Sequence, residues 1–252
     1  MSKGVRPWAS ITLAATLLTG VAGPTVAEEI PNLKGSRLVS IYAETPADLQ
    51  AAEQLSTTFL NCELGLNARN EWVVPVENMP ALAASGLDYF VRHNDMQALI
   101  DAERKAIEAA KGRGWFDTYH RYDEINSFMD DLVTAYPTLV SKYSIGQSIQ
   151  GRDIYGMTVT SPTDNIKTKV VFDGGQHARE WISPATVLFI VNEMLTGYGN
   201  DPQVTDMLDR LEFFVVPLVN PDGYEYTHTN YRLWRKNRRN NGDGTFGVDL
   251  NR

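Results

Sequence analysis

The chain has 252 residues, 43% hydrophobic and 21% charged, with 19 Gly and 12 Pro; this globular composition excludes disordered, collagenous and low-complexity classes. A net charge of −8 and a pI near 5.0 argue against a general nucleic-acid binder, because holding phosphate requires a basic field. A single cysteine, Cys62, excludes an internal disulfide framework, a zinc finger and a paired-thiol redox motif.

The first residues have the pattern of an export signal. Lys3 and Arg6 precede the apolar stretch Trp8–Ala22, and the small residues around Thr25, Val26 and Ala27 offer a cleavage point before Glu28. The apolar run is shorter than the ~20 residues of a spanning helix. The expectation is a signal peptide over residues 1–27, an extracellular product and no membrane anchor.

Residues 28–111 read as a first folding unit. Leu38–Tyr42 is an apolar, β-branched strand, and Pro46 opens a helix with Leu49, Ala52 and Leu55 at helical spacing. Trp72–Val76 reads as a strand with Pro75 at its end or on a sheet edge. Met79–Ala84 follows as a short helix and Leu87–Val91 as a strand. Asn94 is placed to cap a helix running through Glu108, with Met96, Leu99, Ile100 and Ile107 as its apolar stripe. Short strands alternating with helices over this length suit a small open-faced α+β sandwich. The stretch Lys111-Gly112-Arg113-Gly114 is a linker, and its basic residues also make it a candidate cleavage point for an activating protease.

A second unit spans 112–252. Ile125, Phe128, Met129, Leu132 and Val133 predict an amphipathic helix over 122–135, ended by Tyr136-Pro137. Strands follow at Ile154–Thr160 and Lys169–Asp173, the latter with Val170, Val171 and Phe172 expected to be buried. Ser183-Pro184 reads as a cap and first helical position, with Val187, Leu188, Val191, Met194 and Leu195 facing inward. Asp201-Pro202 repeats the device for a helix through Leu208. Leu211–Leu218 is apolar enough for a central strand, and Asp222-Gly223 after Asn220-Pro221 reads as a turn. Strand–helix alternation makes this an α/β layered unit.

His177 and Glu180 follow the strand ending at Asp173, at the sheet edge where the connecting loops of an α/β fold gather and where sites form. An imidazole and a carboxylate suit zinc, although this spacing alone is weak. His120 and Asp123 share the spacing, but Asp123 is better explained as a helix-start carboxylate. The basic run Arg232–Arg239 has a nucleic-acid reading that the acidic remainder of the chain opposes, and a bland reading as a solvated loop.

Four blocks then carry a specific resemblance. They are Asp173–Pro184 around His177 and Glu180, Val219–Tyr226, Arg232–Lys236, and Gly247–Arg252. In this order they resemble the zinc metallocarboxypeptidases, with the match running from Trp115 to Arg252. The unit at 28–111 resembles, more weakly, the propeptide domain of the carboxypeptidase A/B branch. The resemblance implies an α/β fold with a mixed central sheet covered by helices, incomplete at the C-terminal side and preceded by a small α+β open-sandwich propeptide domain.

It also implies one zinc ion held by His177 and Glu180, with Arg235 as the catalytic cation at the scissile carbonyl. Arg179, Asn251 and Arg252 would be substrate-binding residues, the last two for the peptide's terminal carboxylate. A guanidinium fork matches that planar anion better than an ammonium does. Peptide and protein C-termini are thus the expected partners, with no nucleic acid and no membrane.

In the family the third zinc ligand (a histidine), a substrate-capping tyrosine and the general-base glutamate lie further toward the C-terminus, and neither His93 nor His228 matches that ligand. The expectation is a secreted carboxypeptidase zymogen whose first 252 residues do not catalyse alone. The alternative is an inactive remnant whose first unit acts as a folding aid or inhibitor of an intact relative. The first unit carries seven basic and thirteen acidic residues. This balance is expected to let it cover a cationic site electrostatically.

Overall fold

A computed structural model describes residues 30–251, so the predicted signal peptide and Arg252 lie outside the described residues. Two four-stranded sheets organise those residues, each with its own apolar core.

The first unit contains β1 (Arg37–Ala43), α1 (Pro46–Leu55), β2 (Thr58–Phe59), β3 (Ala68–Val74), α2 (Met79–Ala84), β4 (Asp88–His93) and α3 (Met96–Ala110). Its sheet runs β2-β3-β1-β4, with every pairing antiparallel. Pro75 therefore ends β3, which is an interior strand. Thr45 starts α1 through a reciprocal capping box with Asp48. The cap of α3 is Asp95, whose carboxylate accepts from the Ala98 N–H at 3.0 Å; the predicted Asn94 lies one residue outside. On one face Val39, Ile41, Trp72 and Val74 pack against Ala52 of α1 and Met79 and Leu82 of α2. On the other, Val73 meets Met96 and Ile100 of α3 together with Tyr231 and Leu233 of the second unit. The open side of the sandwich thus closes onto the rest of the chain.

The second unit contains α4 (Tyr122–Ala135), β5 (Val140–Gln147), β6 (Asp153–Val159), β7 (Thr168–Asp173), α5 (Ile182–Gly197), α6 (Pro202–Arg210), β8 (Leu211–Val216) and α7 (Pro221–Thr229). Its sheet order is β5-β6-β8-β7, with β8 antiparallel to β6 and parallel to β7. The sheet is mixed, and apolar β8 lies inside it. Leu188, Val191 and Leu195 of α5 share a core with Val159, Val215 and the α4 residues Ile125 and Met129.

Three expectations change. Val171 is 71% exposed: alternation along β7 turns Val170 and Phe172 into the core and Val171 away from it. Helix α5 begins at Ile182, and the Ser183 hydroxyl accepts from the Gly175 N–H at 3.0 Å instead of capping the helix. The segment 220–229 is a helix, not a turn: the Asn220 side chain caps it at the Gly223 N–H with Pro221 in the first helical position. His228 therefore sits in the last turn of α7, its ring stacked on Trp181 with centroids 4.0 Å apart.

Two stability predictions follow from this packing. Leu188→Ala should cost about 2–5 kcal/mol, read as a shift in urea midpoint, because Leu188 is fully buried in the shared core. Burial lowers the His228 pKa to about 4. An unfolded imidazole protonates near 6.5, so the unfolded chain binds the extra proton between those values, and His228's contribution, complete above pH 6.5, should fall as the pH drops toward 4. Urea midpoints measured over that window should lose part of their pH slope in His228→Phe.

Candidate functional site

The site begins where β7 stops. Gly174 continues the pairing with an N–H bond to the Val216 carbonyl at 2.9 Å. At Gly175 the backbone turns with φ +67, and a Cβ there would meet Leu218 Cδ1 at 2.5 Å, so the turn requires glycine. This turn directs residues 176–181 beneath the start of α5.

Two further loops are tied to that segment. The Asn220 side-chain amide donates to the carbonyls of Gln176 (3.0 Å) and Lys236 (3.1 Å), while the Ala178 N–H donates to the Arg235 carbonyl at 2.9 Å. Close approach of α7 to the 232–236 loop explains Gly223, where a Cβ would stand 2.4 Å from the Lys236 carbonyl oxygen.

The chemistry-bearing side chains form a ring. His177 Nδ1 lies 3.0 Å from Glu180 Oε1, and Nε2 lies 3.3 Å from Asp249 Oδ1 without hydrogen-bond geometry. Asp249 Oδ2 accepts from Arg235 Nε at 2.8 Å, and Arg235 returns to Glu180 Oε1 at 3.5 Å. His177 and Arg235 are both buried. Burial pushes the Asp249 carboxyl up, but the hydrogen bonds from Arg235 and the Asn251 N–H prevail and hold it below the usual carboxylate range. Burial likewise opposes the Arg235 charge, and Asp249 raises its pKa in spite of it. Arg179 goes the other way, down to about 10, through burial first and the neighbouring Arg235 charge second.

Among the described residues, His177, Glu180, Arg179 and Arg235 are brought to one place. Arg179 and Arg235, with Asp249 and Tyr231, line a cavity of about 320 Å³ to which the first unit contributes Phe59. Asn251 is exposed beside Asp249, and Arg252 lies outside the described residues. The first unit reaches into this site. The Phe59 and Leu60 carbonyls accept from Arg179 at 3.0 and 3.2 Å, and the Cys62 carbonyl faces Arg235 at 3.5 Å. Glu103 of α3 grips Arg232 with two bonds of 2.6 and 2.9 Å.

The expected acidic cover is thus only partly made of carboxylates; backbone dipoles supply part of it. The basic run is also not a solvated loop throughout. Arg232 lies over the Trp181 ring at 3.6 Å, and Arg238 over Tyr226 at 3.6 Å. His120 bonds the Trp115 carbonyl at 2.7 Å and stacks on that ring, consistent with its structural reading.

Two residues of the site were not singled out by sequence reading. Asp249 stood inside the block Gly247–Arg252, and a carboxylate two residues before a predicted anion-binding Asn is the signal that could have found it. Cys62 had no signal: its Sγ comes to 3.8 Å from Glu180 Oε1 through tertiary packing across the chain. Cys62, His177 and Glu180 each offer one ligand atom, all within 4.8 Å of one another.

This donor set fits a zinc ion. Neighbouring ligand atoms of a tetrahedral zinc stand about 3.3–3.6 Å apart at ordinary bond lengths. The 3.0 and 3.8 Å separations seen here are within small side-chain adjustments of that. The buried imidazole between two carboxylates has the arrangement that orients a metal-binding histidine.

Comparison with known proteins agrees with that chemistry. The zinc carboxypeptidase family model matches residues 125–252. Carboxypeptidase A2 of Rattus norvegicus is 38% identical over 177 residues, covering 68% of this chain and 42% of the relative. Carboxypeptidase B of Homo sapiens is 37% identical over 226 residues, covering 88% and 53%. Among solved structures, that of thrombin activatable fibrinolysis inhibitor aligns at a TM-score of 0.76 with 28% identity, over 86% of this chain and 58% of that one. A carboxypeptidase A from Helicoverpa armigera shares the fold at a TM-score of 0.74 and 22% identity, over 87% and 57%. The chain belongs to the zinc carboxypeptidase family, and it spans about half the length of the curated relatives it matches.

If His177 holds a metal, Asp249 is predicted to position its imidazole. Asp249→Asn should weaken zinc binding by about 10–100-fold, measured by competition with a chromogenic chelator.

Proposed function

We propose that this chain belongs to a secreted precursor of a zinc carboxypeptidase, which removes C-terminal residues from peptides and proteins after its first unit is released. In this reading residues 1–27 are the signal peptide, 28–111 the propeptide domain and 112–252 part of the catalytic domain. The observation that carries it is the convergence of His177, Glu180, Asp249 and Arg235 at the end of β7, with Arg179 beside them.

Each residue has a distinct task. His177 and Glu180 would hold one zinc ion, whose chemistry is to polarise the scissile carbonyl and lower the pKa of a water toward ~7. Asp249 keeps the His177 ring oriented and the Arg235 guanidinium fixed. Arg235, already fixed, needs little reorganisation to meet negative charge developing on the carbonyl oxygen. Asn251 and Arg252 would anchor the terminal carboxylate, so that the bond presented for cleavage is the last one. Arg179 would bind the substrate next to it once its present partners, the Phe59 and Leu60 carbonyls, are withdrawn.

The first unit supports a latent state. It occupies the guanidinium donors a substrate would use, and Lys111, Gly112, Arg113 and Gly114 are all exposed for an activating protease.

Limited trypsin cleavage of that precursor at Lys111 or Arg113 should switch on release of C-terminal amino acids. A peptide with a free terminal carboxylate should be cut and its amide should not. Arg235→Ala should lower kcat by about 10²–10³-fold. Equal turnover of the amidated peptide, or zinc content indifferent to His177→Ala, would refute the reading.

A further inference from the structure

The first unit places a thiol at the proposed metal position, and this contact has a use beyond steric cover. Cys62 lies in the loop joining β2 to β3, and several bonds hold that loop in shape. The Leu60 N–H donates to the Glu71 carbonyl at 2.8 Å, and the Asn61 side chain accepts from the Glu71 N–H at 2.5 Å. On the far side the buried Asn70 side chain bonds both the N–H and the carbonyl of Gly65, each at 2.9 Å. Across the interface the loop is fastened by the Arg179 bonds to Phe59 and Leu60 and by the Arg235 approach to Cys62 itself. Cys62 is therefore presented to the site by a pinned loop.

What it meets there is a metal-ligating pair. Sγ is 3.8 Å from Glu180 Oε1, within one ligand cluster with His177. The His177 ring is only 5% exposed; its Nδ1 is the nitrogen turned to Glu180, at 3.0 Å, while its Nε2 faces Asp249 on the other side of the ring. Thiolate, imidazole and carboxylate are the three donor types zinc takes from proteins.

We propose that Cys62 is a zinc ligand that latches the first unit over the site. The inference rests on the reading of His177 and Glu180 as zinc ligands. Binding breaks the Cys62 S–H bond, forms a sulfur–zinc bond and releases the proton to solvent; no oxidant or further reactant is needed. With zinc bound, the Cys62 thiolate would compete with substrate for the metal. Withdrawal of the β2–β3 loop after cleavage at 111–114 would remove it along with the carbonyls on Arg179. Latency is thereby tied to the metal as well as to the interface.

The test uses the full chain loaded with cobalt in place of zinc. Wild type should bind about one cobalt per chain and show a near-ultraviolet thiolate-to-cobalt charge-transfer band. Cys62→Ser should lose that band, and its metal affinity should fall by roughly tenfold or more. Because Cys62 is exposed, the variant should keep the wild-type circular dichroism. In wild type, metal should slow alkylation of the thiol by iodoacetamide by roughly tenfold or more. Cobalt bound in a His177-dependent way, with no band and no protection of the thiol, overturns the latch while leaving the His177–Glu180 reading intact. Cobalt binding indifferent to His177→Ala overturns both.

Discussion

The carboxylate of Asp249 holds the rest of the site in place. It stands between an imidazole and a guanidinium, 3.3 Å from one and 2.8 Å from the other, and both groups are buried. A buried guanidinium without an anionic partner is strongly destabilising, since its lost hydration is not replaced. Asp249 therefore obliges three separate segments, the one following β7, the loop 232–236 after α7 and the stretch around residue 249, to remain in register. The glycines at 175 and 223 and the amide of Asn220 are what let these backbones approach closely enough.

The first unit completes this arrangement from outside. Its sheet leaves one face to be covered by Tyr231 and Leu233, which lie beside the loop carrying Arg232 and Arg235. Apolar contact thus sets the approach, and polar contact at the rim sets the orientation. Glu103 on Arg232 is a carboxylate–guanidinium fork, whereas Arg179 is met by main-chain carbonyls. A dipole contact of that kind lacks the long reach of a net charge but fits a guanidinium that burial and Arg235 have already made less basic.

Elements with a strong period or a definite cap were legible from the sequence. The stripe at Ile125, Met129 and Leu132, the Asp201-Pro202 start of α6 and the continuous apolar run of β8 all lie where local chemistry puts them. Failures occurred where one local signal had two meanings. Asn220-Pro221 starts a turn or a helix with equal ease, and contact of Gly223 with Lys236 decided for the helix. Ser183 is a good cap by type, yet its hydroxyl serves Gly175. Strands β2 and β5 were missed because the first has two residues and the second is largely exposed beyond Val140, so neither carries an apolar alternation.

By itself, the sequence determined the alternation of strands and helices and the residue types at the end of β7 that make zinc chemistry reasonable. These are local matters of spacing, capping and side-chain type. Tertiary structure alone decided that Asp249 joins His177 to Arg235, that Arg179 faces carbonyls from the first unit, and that Cys62 reaches Glu180. Those partners lie 14 to 120 residues apart along the chain. No short-range pattern encodes such a meeting; it arises when two sheets and their loops pack and buried charges find partners.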